Sequence, residues 1–286
     1  MEQHSLKTGH GKRPRTTGAS TSKRFRLTLE YDGTNYSGWQ KQLDASTIQG
    51  SLLAAAAEIF AGQAVDIQGN GRTDAGVHAL RYTAHLAVAT ELEPPAIHLR
   101  FNDLLPKDIV VLAVERAHPD FHARHSCLGR SYLYRISRRK TAFGKRYVWW
   151  VKDRLDLAAM REVAPLFEGM HDFVSFAERQ ELKKSTKVLV HRVALWEDGE
   201  TIVCQVVGSH FLWKMVRRLV GILAAVGRKQ LTADDIHRFL EERSDQPAGF
   251  TASPSGLFFE RAFYAEAELA DFLRTDPAAG SGRFFL

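Results

Sequence analysis

Only two cysteines, Cys127 and Cys204, occur in the 286 residues, too few for a disulfide framework. A bridge-stapled secreted scaffold is thereby excluded, and the reducing cytoplasm is the expected location. Long apolar runs are missing as well. No stretch approaches the ~18 residues that cross a bilayer, so no membrane association is expected. The opening residues carry no apolar signal-peptide core. Glycine patterns that cradle nucleotide phosphates are also absent. Gly69-Asn70-Gly71 runs on into Arg72, Thr73 and Asp74 without the third glycine of a dinucleotide fingerprint, and no Gly-Lys-Ser/Thr follows. His118, His122 and His125 are scattered along an apparent loop around Pro119, without the four-ligand pattern of structural zinc or a nearby Cys pair. No metal and no small-molecule cofactor is expected.

Excess charge is scarce in the body of the chain. The formal net charge is +6, but Lys7, Lys12, Arg13, Arg15, Lys23 and Arg24 against Glu2 put +5 of it in residues 1–24. The remainder is close to +1, so net charge alone does not argue for a nucleic-acid partner. Clustering does. Arg130, Arg135, Arg138, Arg139, Lys140, Lys145 and Arg146 are interleaved with Tyr132, Tyr134, Phe143, Tyr147, Trp149 and Trp150. Basic and aromatic side chains together suit looped or single-stranded RNA, through phosphate contacts and base stacking. Residues 1–24 are polar, rich in Gly, Ser and Thr, and expected to be a disordered basic tail.

The most informative segment is Gly69-Asn70-Gly71-Arg72-Thr73-Asp74-Ala75-Gly76-Val77-His78-Ala79-Leu80. It presents one carboxylate, Asp74, on a glycine-rich loop, and the residues after it alternate apolar and polar as a half-buried strand. Glycines there let a bulky ligand approach the main chain. A lone acid at a strand end is a candidate reaction centre, although such residues also close simple Asx turns.

Periodicity divides the rest into two successive α/β units. The first has a strand from Phe25 to Tyr31, a helix over 48–60, the strand after the Asp74 loop, a helix near Pro95 and a strand over 109–114. In the second, strands are expected at 126–136 and 257–264, helices at 156–168 and 210–226, a hairpin through Asp198-Gly199, and a helix capped by Thr232. The resulting boundaries are 25–118 and 119–266, with 267–286 a loosely ordered tail. Two mixed units of this kind suggest helix-backed antiparallel sheets, an α+β fold.

The string Gly71-Arg72-Thr73-Asp74-Ala75-Gly76-Val77-His78-Ala79 resembles the signature of the TruA-type tRNA pseudouridine synthases. Tyr31-Asp32-Gly33-Thr34, Gly38-Trp39-Gln40, Thr47-Ile48-Gln49-Gly50, Phe121-His122-Ala123-Arg124, Arg130-Ser131-Tyr132-Leu133-Tyr134, His171-Asp172-Phe173 and Met215-Val216-Arg217-Arg218-Leu219-Val220-Gly221 are similar to that family in the same order. The resemblance spans roughly Phe25 to Tyr264. Two departures stand out: His125 precedes Ser126 where relatives often carry Phe, and residues 252–259 read Ala-Ser-Pro-Ser-Gly-Leu-Phe-Phe.

The resemblance implies two ferredoxin-like (RRM-like) halves whose sheets join around a central cleft. It implies an isomerase that converts uridine to pseudouridine in the tRNA anticodon stem-loop, at positions 38, 39 and/or 40, usually as a homodimer. Asp74 corresponds to the nucleophile, Arg217 to its ion-pair partner, Tyr132 to the tyrosine against the flipped base, and Arg72 to a further substrate contact. On a helix, Trp213, Arg217 and Gly221 share a face, while Arg218 is turned away as a surface charge or phosphate contact. Two rivals stay open. One is a non-catalytic tRNA-binding or RNA-folding protein; the other is a hydrolase pairing Asp74 with Asp32 or Asp66. Within the family, a member acting on other RNA uridines is a further alternative.

Overall fold

A computed structural model describes residues 22–178 and 185–280. Nearly all of the expected basic tail, residues 1–21, lies outside them. Lys23 and Arg24 do not belong to a tail: they open β1 (Lys23–Tyr31), where Lys23 pairs with Glu91 and Arg24 donates to the Phe121 carbonyl. Phe25, Leu27, Leu29 and Tyr31 alternate inward along β1, as a strand with one buried face requires.

The architecture is mixed α+β. Besides β1, the strands are β2 (Asp66–Gly69), β3 (His78–Val88), β4 (Ile109–Arg116), β5 (Gly129–Ser137), β6 (Trp149–Trp150), β7 (Gly169–Asp172), β8 (Lys187–Asp198), β9 (Thr201–Gly208) and β10 (Leu257–Phe263). They form one ten-stranded sheet in the order β4-β1-β3-β10-β5-β9-β8-β7, with β2 added to β3 and β6 to β5. Neighbours are antiparallel except at β3·β10 and β5·β6. The last long strand therefore returns to the middle. Phe258 and Phe259 of β10 align with His78 and Ala79 of β3 on one side, and Phe259 with Tyr132 of β5 on the other. This return sets the start of β3, just beyond Asp74, one strand away from β5, with β10 between them.

Helices α1 (Ile48–Ile59) and α2 (Pro94–Leu104) bury Ile48, Leu52, Ala56, Ile97 and Phe101 in the core that β1 and β3 also line. Each of the Ile, Leu and Phe side chains contributes about 1.5–3 kcal/mol of transfer free energy. Thr47 caps α1 by accepting from the Gly50 amide. The later helices are α3 (Leu157–Val163), α4 (Met215–Gly227), α5 (Ala233–Glu241), α6 (Gln246–Gly249) and α7 (Glu266–Arg274). Thr232 and Asp235 form a full capping box on α5.

Three expectations need correction. The helix expected over 156–168 stops at Val163 and tightens into a 3-10 turn, Ala164–Phe167, because Pro165 cannot donate to an α-helical ladder. The helix expected from His210 begins at Met215, since Lys214 sits in the left-handed region at φ 64. Finally, the supposed loose tail contains α7. Leu269, Phe272 and Leu273 are half-buried at helical spacing, Phe272 packs on Phe263, and Arg192 donates to the carbonyls of Leu273 and Thr275 at the helix end.

Three histidines are wired as main-chain acceptors. Nδ1 of His78 accepts from the Gly33 amide, Nδ1 of His85 from Ala123, and Nδ1 of His122 from Arg124 and His125. Burial pushes the pKa of all three down, and a proton on any of these nitrogens would meet an N–H. His78 Nδ1 also lies 3.0 Å from Asp32, but with the Gly33 amide donating there the ring is neutral and its other nitrogen faces the Arg146 carbonyl. Folded-state values below the ordinary ~6.5 mean that the unfolded chain binds more protons, so stability rises with pH. This contribution is complete above about pH 6.5 and is lost as the pH falls. A melting temperature flat near neutrality and declining towards pH 5 is expected. His85→Asn, whose Oδ1 can replace Nδ1, should flatten that decline. A protein that becomes more stable on acidification through this range would contradict the assignment.

Candidate active site

The loop between β2 and β3 is pinned from both sides. Thr73 is buried, its hydroxyl 3.0 Å from the Tyr31 hydroxyl, and its carbonyl accepts from the Trp39 amide at 3.1 Å. Gly38 makes that approach possible: it has φ 90, and a Cβ there would lie 2.4 Å from the Thr73 carbonyl oxygen. Gly76 donates to the Tyr36 carbonyl, and Val77 closes a turn onto the Asp74 carbonyl. Below the loop, Trp39 packs on Tyr82, whose hydroxyl donates to the Gly71 carbonyl. From the opposite side the Arg130 guanidinium donates to the Asn70 carbonyl at 2.7 and 3.2 Å. A carboxylate on such a loop has little freedom of position.

Asp74 meets α4 at its start. Arg217 Nη1 donates to Oδ2 at 2.9 Å and Trp213 Nε1 donates to Oδ1 at 2.8 Å. The ion pair is mostly shielded, with 13% of the Arg217 side chain and 18% of the Asp74 side chain exposed. Arg217 is itself anchored: Nε donates to the Ala252 carbonyl at 2.8 Å, and the Ala252 amide donates back to the Arg217 carbonyl at 3.1 Å. The segment can come this close because residue 221 is glycine; a Cβ there would lie 1.5 Å from the Phe250 carbonyl oxygen. Tyr134, buried, donates to the Ser253 carbonyl and steadies the same segment.

Tyr132 reaches the site from β5. Its ring stands edge-on to Phe211 and Phe259, and 8% of the residue is exposed. Burial above all keeps its hydroxyl protonated; the charge of Arg130 opposes this and that of Asp74 reinforces it. The site therefore sets an anion held by two donors beside a neutral phenol and an aromatic wall. A carboxylate held in this way can act as a nucleophile or as a base.

Comparison with known proteins decides the class. The profile of the tRNA pseudouridine synthase family matches residues 28–126 and 163–265. The chain belongs to that family. It is 41% identical to tRNA pseudouridine synthase A of Zymomonas mobilis over 244 residues, covering 84% of this chain and 99% of that one. The same enzyme from Rhodospirillum centenum is 41% identical, with 84% and 99% covered, and that from Clostridium acetobutylicum 36%, with 85% and 100%. The protein is thus an isomerase of the pseudouridine synthase class. Asp74 and Arg217 lie within the matched stretches, whereas Tyr132 falls between them.

Within this synthase the remaining sequence expectations divide. Arg72 is exposed and takes no part in the contacts of Asp74. Arg218 is not a surface charge: it is buried, donates to the Ala177 carbonyl at 2.6 Å and pairs with Glu178 at 2.8 Å. The basic cluster also splits. Arg130 and Arg135 are buried, Arg130 holding the carbonyls of Asn70 and Ser209, and Arg138 pairs with Glu197. Arg139, Lys140, Lys145 and Arg146 remain exposed around the 91%-exposed Phe143. The carboxylates considered as partners for Asp74 are engaged elsewhere, Asp32 with Thr34 and Tyr147, and Asp66 with Gln68 and His85. Trp213 is not on the helix face expected to carry it with Arg217 and Gly221: it precedes α4, and the left-handed turn at Lys214, invisible in the sequence, aims its indole at Asp74.

Proposed function

We propose that this chain isomerises uridine to pseudouridine in the anticodon stem-loop of tRNA, at positions 38, 39 and/or 40. The observation that carries the reading is the Asp74 carboxylate, held at one oxygen by Arg217 and at the other by Trp213 on a loop pinned by buried contacts. The bond from ribose C1′ to ring N1 breaks and one from C1′ to C5 forms; C5 loses a proton and N1 gains one. Nothing is oxidised and no group leaves. Asp74 serves this exchange either as a nucleophile on the nucleotide or as the base that takes a ribose proton to give a glycal. Either route needs the target nucleotide out of its stack. Tyr132 then stacks on the flipped base, and Arg72, exposed on the loop, contacts the RNA.

The same reading takes the chain as two ferredoxin-like halves, 25–118 and 119–266, with the cleft at the β3·β10 seam. The tRNA lies across a cytoplasmic homodimer and contacts the exposed cations at 139–146. An assay on an unmodified tRNA transcript tests it. Pseudouridine confined to positions 38–40 is the expected product. Free uracil would instead favour hydrolysis, and no product from a folded, tRNA-binding protein would favour another RNA substrate or a binding-only role.

A further inference from the structure

Arg217 holds only one of the two oxygens of Asp74. The other, Oδ1, accepts from Trp213 Nε1 at 2.8 Å, although 41% of Trp213 is exposed. Such a side chain is neither core filling nor a free surface aromatic, because its N–H is turned inward onto the carboxylate. The backbone is shaped for this. Lys214, which caps α4, occupies the left-handed region at φ 64, a conformation that costs an ordinary residue about 1–2 kcal/mol. Its ammonium lies 5.2 Å from the Trp213 ring centroid and donates to Glu178 at 2.9 Å, and Glu178 also takes Arg218. On the other flank Leu212 is buried, and its carbonyl accepts from the Met215 amide. The indole is therefore fixed on both sides before substrate arrives.

We propose that Trp213 is a positioning residue for the reaction. A carboxylate bound through one oxygen can still turn about its last torsion, which is broad for aspartate. A second donor on the other oxygen stops that rotation and fixes the direction of the remaining lone pairs. The indole N–H does so without adding a second positive charge, so the carboxylate remains reactive. The inference rests on Asp74 as the reacting carboxylate.

Trp213→Phe keeps an aromatic ring and removes the donor. Its kcat is expected to fall about 10- to 100-fold, the scale of a misplaced reacting group, with KM for tRNA within about twofold of wild type. In protein carrying 15N-labelled tryptophan, the indole N–H resonance missing from Trp213→Phe should move upfield in Asp74→Ala, which removes its acceptor. Unchanged or raised kcat in Trp213→Phe, or an effect confined to KM, would overturn the proposal while an inactive Asp74→Ala left the Asp74 reading intact. An active Asp74→Ala would instead remove that reading. If Trp213→Phe does not fold, the Asp74→Ala spectrum decides, with an indole resonance, assigned through its neighbours, that does not move as the overturning result.

Discussion

Asp74→Ala is expected to abolish pseudouridine formation, with a loss of at least about 10⁴-fold in kcat/KM, the scale seen when a reacting side chain is removed. Both routes open to this site pass through the carboxylate, and the acids expected as its partners in a hydrolase, Asp32 and Asp66, are tied elsewhere. RNA binding should change little, within about threefold, because the variant removes a negative charge and leaves every cation in place. The fold should also persist, since Arg217 keeps the Ala252 carbonyl as a partner. Asp74→Asn separates charge from shape: it retains the volume and one acceptor, yet is expected to be equally inactive. Site-specific pseudouridine mapping beside a filter-binding isotherm checks both halves. Activity within tenfold of wild type, in protein shown by mass spectrometry to be free of the parent chain, would remove Asp74 from the reaction.

Local pattern made Asp74 legible, since a lone acid on a glycine-rich loop before an alternating strand is visible without coordinates. Its pairing with Arg217 was not, because 143 residues separate them and no periodicity links a loop to a distant helix; only the resemblance joined them. The basic cluster misled for a related reason. A run of arginines reads as a surface, but Arg130 is buried beneath main-chain carbonyls, and composition says nothing about which carbonyls lack partners. The burial of Arg218 is hidden in the same way, its partner Glu178 lying 40 residues back. The helical spacing of Leu269, Phe272 and Leu273, by contrast, is present in the sequence of α7. The strand order was beyond reach, because the parallel seam between β3 and β10 depends on a long-range return of the chain.

Arg217→Ala should both slow the reaction and weaken the fold, and the two losses have separable causes. Removing the guanidinium leaves the Asp74 carboxylate largely shielded with Trp213 alone, and an uncompensated charge of this kind costs about 3–5 kcal/mol. With 18% of the Asp74 side chain still exposed, the low end of that range applies, roughly 3 kcal/mol and a melting temperature lower by about 6–10 °C. Turnover should fall by about 10³-fold, since the carboxylate also loses the donor that orients it. Arg217→Lys discriminates between charge and geometry. One ammonium cannot serve Asp74 and the Ala252 carbonyl as the planar fork does, so the lysine variant should regain most of the stability but little of the rate. A double-mutant cycle is the decisive form. If the penalty in Arg217→Ala comes from a stranded carboxylate, adding Asp74→Ala should recover at least about 1.5 kcal/mol of it. Additive losses would mean that Arg217 matters chiefly through its anchor on Ala252, where glycine at 221 lets the helix meet the chain, and not through Asp74.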